Sequence, residues 1–262
     1  MRRWMALSLM ALVVTSTAFA QDSKLRRIAS GIDARGWEAV GRLDLGPSGF
    51  CTGALIADDL VLTAAHCLYD KDTSAPVPED EIAFLAGWRD GRASASRTIR
   101  RAVVHPDYDP SRQSRTDQMR HDLALLQLDH PIRDGRITPF GVAKRPRRGA
   151  ALAVVSYGQG REEAPSLQEV CRVIGLQDGV LVTSCSVELG SSGAPIFVMG
   201  AGRVDIVSVV TAKGQVEDQS VSLGTPVAAP LEVLFDAIAT APDRDWQRAG
   251  QSRDIGAKFV RP

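Results

Sequence analysis

The 262-residue sequence has no excess of charge of either sign, with 31 Lys and Arg against 31 Asp and Glu. Without a global basic field, neither nucleic acid nor an anionic membrane is expected as a partner. No long apolar run is present: Ala6 to Val14 is too short to span a bilayer comfortably, and no stop-transfer pattern follows it. There is no Cys-x-x-Cys and no histidine pair, and the acids between Tyr69 and Asp80 do not follow EF-hand spacing. No metal and no organic cofactor is therefore implied. Gly158-Gln159-Gly160 lacks the Lys-Ser/Thr and the following helix of a phosphate loop. The Gly-x-Ser-x-Gly elbow of an α/β-hydrolase esterase is also missing. No solenoid repeat and no low-complexity tract supports a structural or adhesive role.

What is present begins with an export signal. Arg2 and Arg3 precede the short apolar stretch, and Ala18-Phe19-Ala20 forms a small-x-small cleavage site. Residues 1–20 are expected to be removed, so that Gln21 becomes the mature N-terminus of a secreted or periplasmic protein. The rest is ordinary globular sequence, 44% hydrophobic and 24% charged. Four cysteines travel with the exported chain, and an even number suits disulfides in an oxidising compartment. Three pairings are possible. The local one joins Cys51 to Cys67 and Cys171 to Cys185, worth about 3 kcal/mol per bridge by the loop-entropy argument. Cys51–Cys67 would also fix the position of His66.

Three stretches carry chemistry. Gly190-Ser191-Ser192-Gly193-Ala194-Pro195 is a small-residue turn before the apolar run Ile196 to Met199. Such a turn can present a serine hydroxyl while neighbouring N–H groups converge on one point, as an oxyanion requires. Alone it is also an ordinary turn before a strand. Upstream stand Leu62-Thr63-Ala64-Ala65-His66-Cys67 and His121-Asp122, the latter followed by the apolar run Leu123 to Leu128. A base, an acid and a nucleophile therefore occur in the order His66, Asp122, Ser192.

With these three motifs in register, the sequence resembles the trypsin/chymotrypsin-like serine proteases from about Trp37 to Ala239, and within them the bacterial branch that includes the glutamyl endopeptidases. The resemblance implies an all-β fold of two packed six-stranded antiparallel barrels with a C-terminal helix. It implies catalysis by His66, Asp122 and Ser192, with an oxyanion hole from the N–H groups of Gly190 and Ser192. Glycine at 190 is needed because its peptide must turn to aim its N–H. A polypeptide is the implied substrate, and a monomer the expected state. Short strands at close intervals, punctuated by Gly, Pro and Asp, agree with a barrel or a sandwich. The expected order is an N-terminal segment 21–36, a first barrel 37–133, a second 134–230, a helix 231–241 and a tail 242–262.

Departures from the family pattern carry further expectations. Arg27-Ile28 looks like a degraded activation site, but the residue before the nucleophile is Ser191 instead of an acid. A buried ammonium would have no carboxylate partner there, so cutting at this point is not expected to switch the protein on. Ser191 is expected to position its loop. By resemblance the primary pocket is lined by Ser186, Ser208 and Val210, which suggests small or medium uncharged side chains. No histidine lies in the second half to favour acidic ones. The alternative reading is a binding module on a protease scaffold, without turnover.

Overall fold

The computed structural model describes residues 22–200 and 202–241. The expected leader 1–20, its cleavage point at Gln21 and the tail 242–262 lie outside the described residues. A short strand β1 (Arg26–Arg27) comes first. Six strands then close on themselves: β2 (Val40–Asp44), β3 (Phe50–Ala57), β4 (Leu60–Thr63), β5 (Ala83–Ala86), β6 (Ala95–Val104) and β7 (Ala124–Leu128). Their order around the barrel is β2-β3-β4-β7-β6-β5, every pair antiparallel. Leu43, Leu55, Leu62, Phe84 and Leu125 belong to one buried core cluster and have no solvent contact. The helix α1 (Arg115–Arg120) lies between β6 and β7.

The linker carries β8 (Gly141–Val142), and the second barrel follows with β9 (Ala151–Ser156), β10 (Ser166–Gln177), β11 (Val180–Thr183), β12 (Pro195–Gly200), β13 (Arg203–Val216) and β14 (Gln219–Pro226). The path β10-β11-β14-β13-β12-β9 is closed by antiparallel pairing of β9 with β10, while β1 adds to β10 and β8 runs parallel to β13. Leu152, Val154, Ile196 and Val207 occupy its core. The C-terminal helix α2 (Pro230–Thr240) starts with proline in its first turn, where no N–H is needed, and buries Leu231, Leu234 and Ile238. It packs back on β6 and β7 of the first barrel. The two-barrel architecture with a C-terminal helix is the one the resemblance implies. None of the described helices is long and apolar enough to cross a membrane.

Three local features differ from expectation. The stretch before Trp37, polar in sequence and expected to be loosely held, is tied to the second barrel. Ser23 exchanges hydrogen bonds with Val170, the Ile28 N–H donates to the Pro165 carbonyl, and the Ile28 side chain is fully buried. Replacing Ile28 would therefore damage the core, whatever the role of the Arg27–Ile28 bond. The polar run before His121 contains α1, because Ser114 caps it by accepting the Asp117 N–H. The sixth strand of the second barrel, β14, lacks a clear sequence signal because polar Ser222 and Thr225 are fully buried within it.

The barrels meet along a seam of specific contacts. Trp37, Phe140 and Phe197 form a ring cluster with centroids 4.7–6.2 Å apart. The Thr52 N–H on β3 donates to the Ser192 carbonyl at 2.8 Å, so the strand of one barrel holds the serine turn of the other.

Candidate active site

His66 is placed by the end of β4. After Thr63 the chain enters a tight 3-10 turn over Ala65–Leu68, with Ala64 and Ala65 both fully buried. Cys67 is bonded to Cys51 on β3, which ties the turn to the neighbouring strand. Asp122 lies between α1 and β7 and is only 2% exposed. Its Oδ1 accepts the His66 backbone N–H at 2.8 Å, and its Oδ2 lies 2.7 Å from His66 Nδ1. This leaves His66 Nε2 facing away from the carboxylate, the tautomer a general base needs. Burial pulls the His66 pKa down. The charge and hydrogen bond of Asp122 outweigh it, Lys71 opposes them weakly, and the net shift is upward.

A third partner of Asp122 escapes sequence reasoning. Thr211 donates its hydroxyl to Asp122 Oδ2. The pairing of β13 with β14 slips between Val210 and Ala212, leaving Thr211 as the extra residue of a bulge. Thr211 thus sits at a bulge with its hydroxyl on the carboxylate. Ser208, expected to line the cleft, is fully buried and donates to the Thr225 carbonyl at 2.9 Å. Val210, expected at the pocket mouth, belongs to the core of the second barrel. Ser186 is on the surface, its N–H committed to Gln168 Oε1, beside a cysteine tied to Cys171. Ser208 and Val210 thus lie within the second barrel, while Thr211 and Ala212 line a cavity with His66.

The serine turn is held from two sides. Gly190 has φ +88°, and a Cβ there would stand 2.3 Å from the Phe50 ring. Gly193, at φ +78°, would clash with Thr63 and the Thr52 carbonyl. Both positions demand glycine. From the first barrel, buried Thr52 donates its hydroxyl to the Gly190 carbonyl at 3.0 Å and accepts the Tyr157 N–H at 3.1 Å. Buried Thr63 in turn donates to the Thr52 carbonyl. Neither threonine stands out in the sequence, because a threonine inside a strand is unremarkable there. From the second barrel, the Gly193 N–H donates to Val210, and fully buried Ser191 accepts the Glu188 N–H at 3.1 Å. Ser191 therefore has the loop-bracing contact expected of it.

Ser192 is half-buried. Among the described residues, the N–H groups of Gly190 and Ser192 donate to no protein acceptor, so both remain available to an incoming oxygen. His66 and Ser192 line one cavity of about 170 Å³ together with Phe50, Lys71, Leu189 and Gly190. Among the described residues no hydrogen bond joins Ser192 Oγ to His66. Such contacts commonly tighten only when substrate is bound. On the other side of His66, a cavity of about 280 Å³ is lined by Tyr108, Met119, Asp122, Thr211 and Ala212. Cys51, Cys67 and His66 cluster closely, but the two sulfurs are joined in a disulfide and offer no thiolate to a metal. The second bridge, Cys171–Cys185, links β10 to the segment after β11. Both bridges follow the local pairing.

Comparison with known proteins places this arrangement among relatives. A family profile described as the trypsin-like peptidase domain matches residues 51–204. The chain is 30% identical over 205 residues to serine protease 56 of Homo sapiens, covering 76% of this chain and 31% of that protein. It is 39% identical over 84 residues to the modular serine protease of Drosophila melanogaster, covering 31% of this chain and 13% of that protein. Granzyme M of Rattus norvegicus is 28% identical over 213 residues, with 69% of this chain and 76% of that protein aligned. The chain thus spans less than a third of the length of the first curated relatives it matches. Among solved structures, a Glu endopeptidase in complex with MPD superposes with a TM-score of 0.66 at 19% identity, over 85% of this chain and 99% of that one. That likeness is one of fold.

Proposed function

The chain belongs to the trypsin-like peptidase domain family, and on that premise we propose that it is an exported serine endopeptidase that hydrolyses polypeptides through an acyl-enzyme. One observation carries the proposal: the Asp122 carboxylate lies 2.7 Å from His66 Nδ1, and His66 shares a cavity with Ser192. In this reading His66 takes the Ser192 proton as Oγ attacks the scissile carbonyl, then returns it to the leaving amine. Asp122 holds the imidazole tautomer and stabilises the cation that forms. The free N–H groups of Gly190 and Ser192 receive the developing oxyanion. Water then repeats the sequence on the acyl-enzyme and releases the second product. The two disulfides suit an oxidising compartment, the periplasm or the external medium.

For substrate choice, Thr211 and Ala212 take the place first given to Ser208 and Val210. Lys213, next along the strand, lies 3.2 Å from both carboxylate oxygens of Glu188. This pair connects the segment after Thr211 with the segment before the serine turn. A charged substrate side chain entering between them would compete with an existing ion pair. Uncharged side chains are therefore preferred, but only modestly, because the pair is half-exposed and such pairs are worth about 0–1 kcal/mol. A peptide-library profile dominated by Arg or by Glu at the cleavage site would contradict this.

The experiment for the main proposal is hydrolysis of denatured casein by the mature protein and by its Ser192→Ala variant. The parent is expected to turn over casein, and the variant to fold normally with turnover reduced on the order of 10⁴-fold or more. A folded, inert parent would favour the alternative, a binding module on the same scaffold. Equal turnover in parent and variant would remove Ser192 from the mechanism.

A further inference from the structure

A half-buried cation lies beneath the serine turn. Arg161 follows the Gly158-Gln159-Gly160 turn, and its Nη2 donates to Ser191 Oγ at 3.1 Å and to Ser156 Oγ at 2.9 Å, while Nη1 donates to the Ser156 carbonyl. The guanidinium packs against the Gly158 backbone so closely that a Cβ there would stand 2.7–2.9 Å from its Nη2, Cζ and Nε atoms. Gly158 Cα in turn lies against Gly190, 3.3 Å from where a Cβ of that residue would be. Arg161, Gly158 and Gly190 thus form a stack that leads directly to one of the two free N–H groups.

Ser191 is the joint of this network. Its hydroxyl has one proton and two lone pairs. The proton has the Tyr157 carbonyl at 3.0 Å, and the lone pairs face the Glu188 N–H at 3.1 Å and Arg161. Every hydrogen-bonding site of this fully buried oxygen is taken. The hydrogen-bond partners of Arg161 are all neutral. Burial pulls its pKa down, with Glu188 and Glu162 acting the other way, and a guanidinium keeps its charge under such conditions. Burying a cation against neutral partners is a poor way to gain stability. Its fork of donors, however, is well suited to fixing several acceptors in one geometry.

We propose that Arg161 is a positioning residue for the nucleophile turn, fixing Ser191 and thereby aiming the N–H groups of Gly190 and Ser192. The inference rests on the hydrolase reading given above. Arg161→Met is expected to lower kcat by about 10²-fold, the scale on which small misplacements act, with KM for a short ester substrate little changed. Affinity for a peptide boronic acid, which mimics the tetrahedral oxyanion, falls by the same factor. Arg161→Lys restores part of kcat, because a single ammonium reaches some but not all of the acceptors. Ser191→Ala removes the joint and gives a similar loss, and the double variant is no worse than either single one.

Amide hydrogen exchange across residues 188–193 reads the positioning without turnover, and it is expected to be faster in Arg161→Met. Parent-like kcat in a folded Arg161→Met, losses that multiply in the double variant, or unchanged exchange would each overturn the proposal. If Arg161→Met does not fold, Ser191→Ala decides the matter by the same readouts: parent-like kcat and exchange there overturn it. A parent that neither hydrolyses nor binds the boronic acid would sink the hydrolase reading instead, and the exchange comparison would still judge the role of Arg161.

Discussion

His66 sits under opposing influences: burial disfavours its cation, while the adjoining Asp122 favours it more strongly. A general base must be neutral, so activity falls as pH drops through its pKa. The acid limb of kcat/KM is expected above the ordinary imidazole value of about 6.5. Lys71 pushes the other way, so Lys71→Met should move the limb further up. A limb at or below about 6.5 would show that Asp122 does not govern His66. The same shift has a stability consequence. A native pKa raised above the unfolded one gives stabilisation that is complete below the unfolded value and disappears as pH rises through the native one. The difference in unfolding midpoint between the parent and Asp122→Asn should therefore shrink as pH is raised through that window. A difference independent of pH would contradict the shift. At this scale the residues that stand out in sequence are those in short motifs with apolar flanks: His66, Asp122 and the serine turn. Thr52 and Arg161 are silent, one an unremarkable strand threonine and the other a charge in a loop, because their roles exist only after the chain has folded.

The hydroxyl that meets Asp122 sits at a bulge in β13. Resemblance puts Ser208 at the crevice, whereas it is Thr211, at the slip between Val210 and Ala212, that bonds Asp122. Two variants test this element. Thr211→Val leaves a buried carboxylate short of one donor, expected to destabilise the fold by about 1–3 kcal/mol and to lower kcat. Ser208→Ala also removes a buried hydroxyl, but one that bonds only within the second barrel, so it should leave kcat near the parent value. The reverse pattern would restore Ser208 to the site. The remaining strands were legible where buried residues form a continuous apolar run, as in β7. β14 was hidden because buried Ser222 and Thr225 interrupt the pattern, and α1 because six residues capped by Ser114 leave almost no periodicity.

The two barrels meet at a seam, with His66 and Asp122 on the first and the serine turn on the second. Cys51–Cys67 matters at that scale because Cys51 neighbours Thr52, which grips the serine turn, and Cys67 neighbours His66. Replacing both cysteines with serine should cost about 3 kcal/mol and also lower activity at temperatures where the variant is still folded. Replacing Cys171 and Cys185 should cost a similar amount of stability with activity retained, since neither adjoins His66, Asp122 or Ser192. Equal activity losses for the two pairs would deny the first bridge any special role. In the proposed mechanism Asp122, His66 and Ser192 act together at the seam. Its most direct test is labelling of the mature protein by a fluorophosphonate, followed by mass mapping of the adduct. A single adduct on Ser192 is expected, lost in His66→Ala and reduced in Asp122→Asn; a folded parent that takes up no label, or takes it up elsewhere or independently of His66, would show that the three residues do not act together.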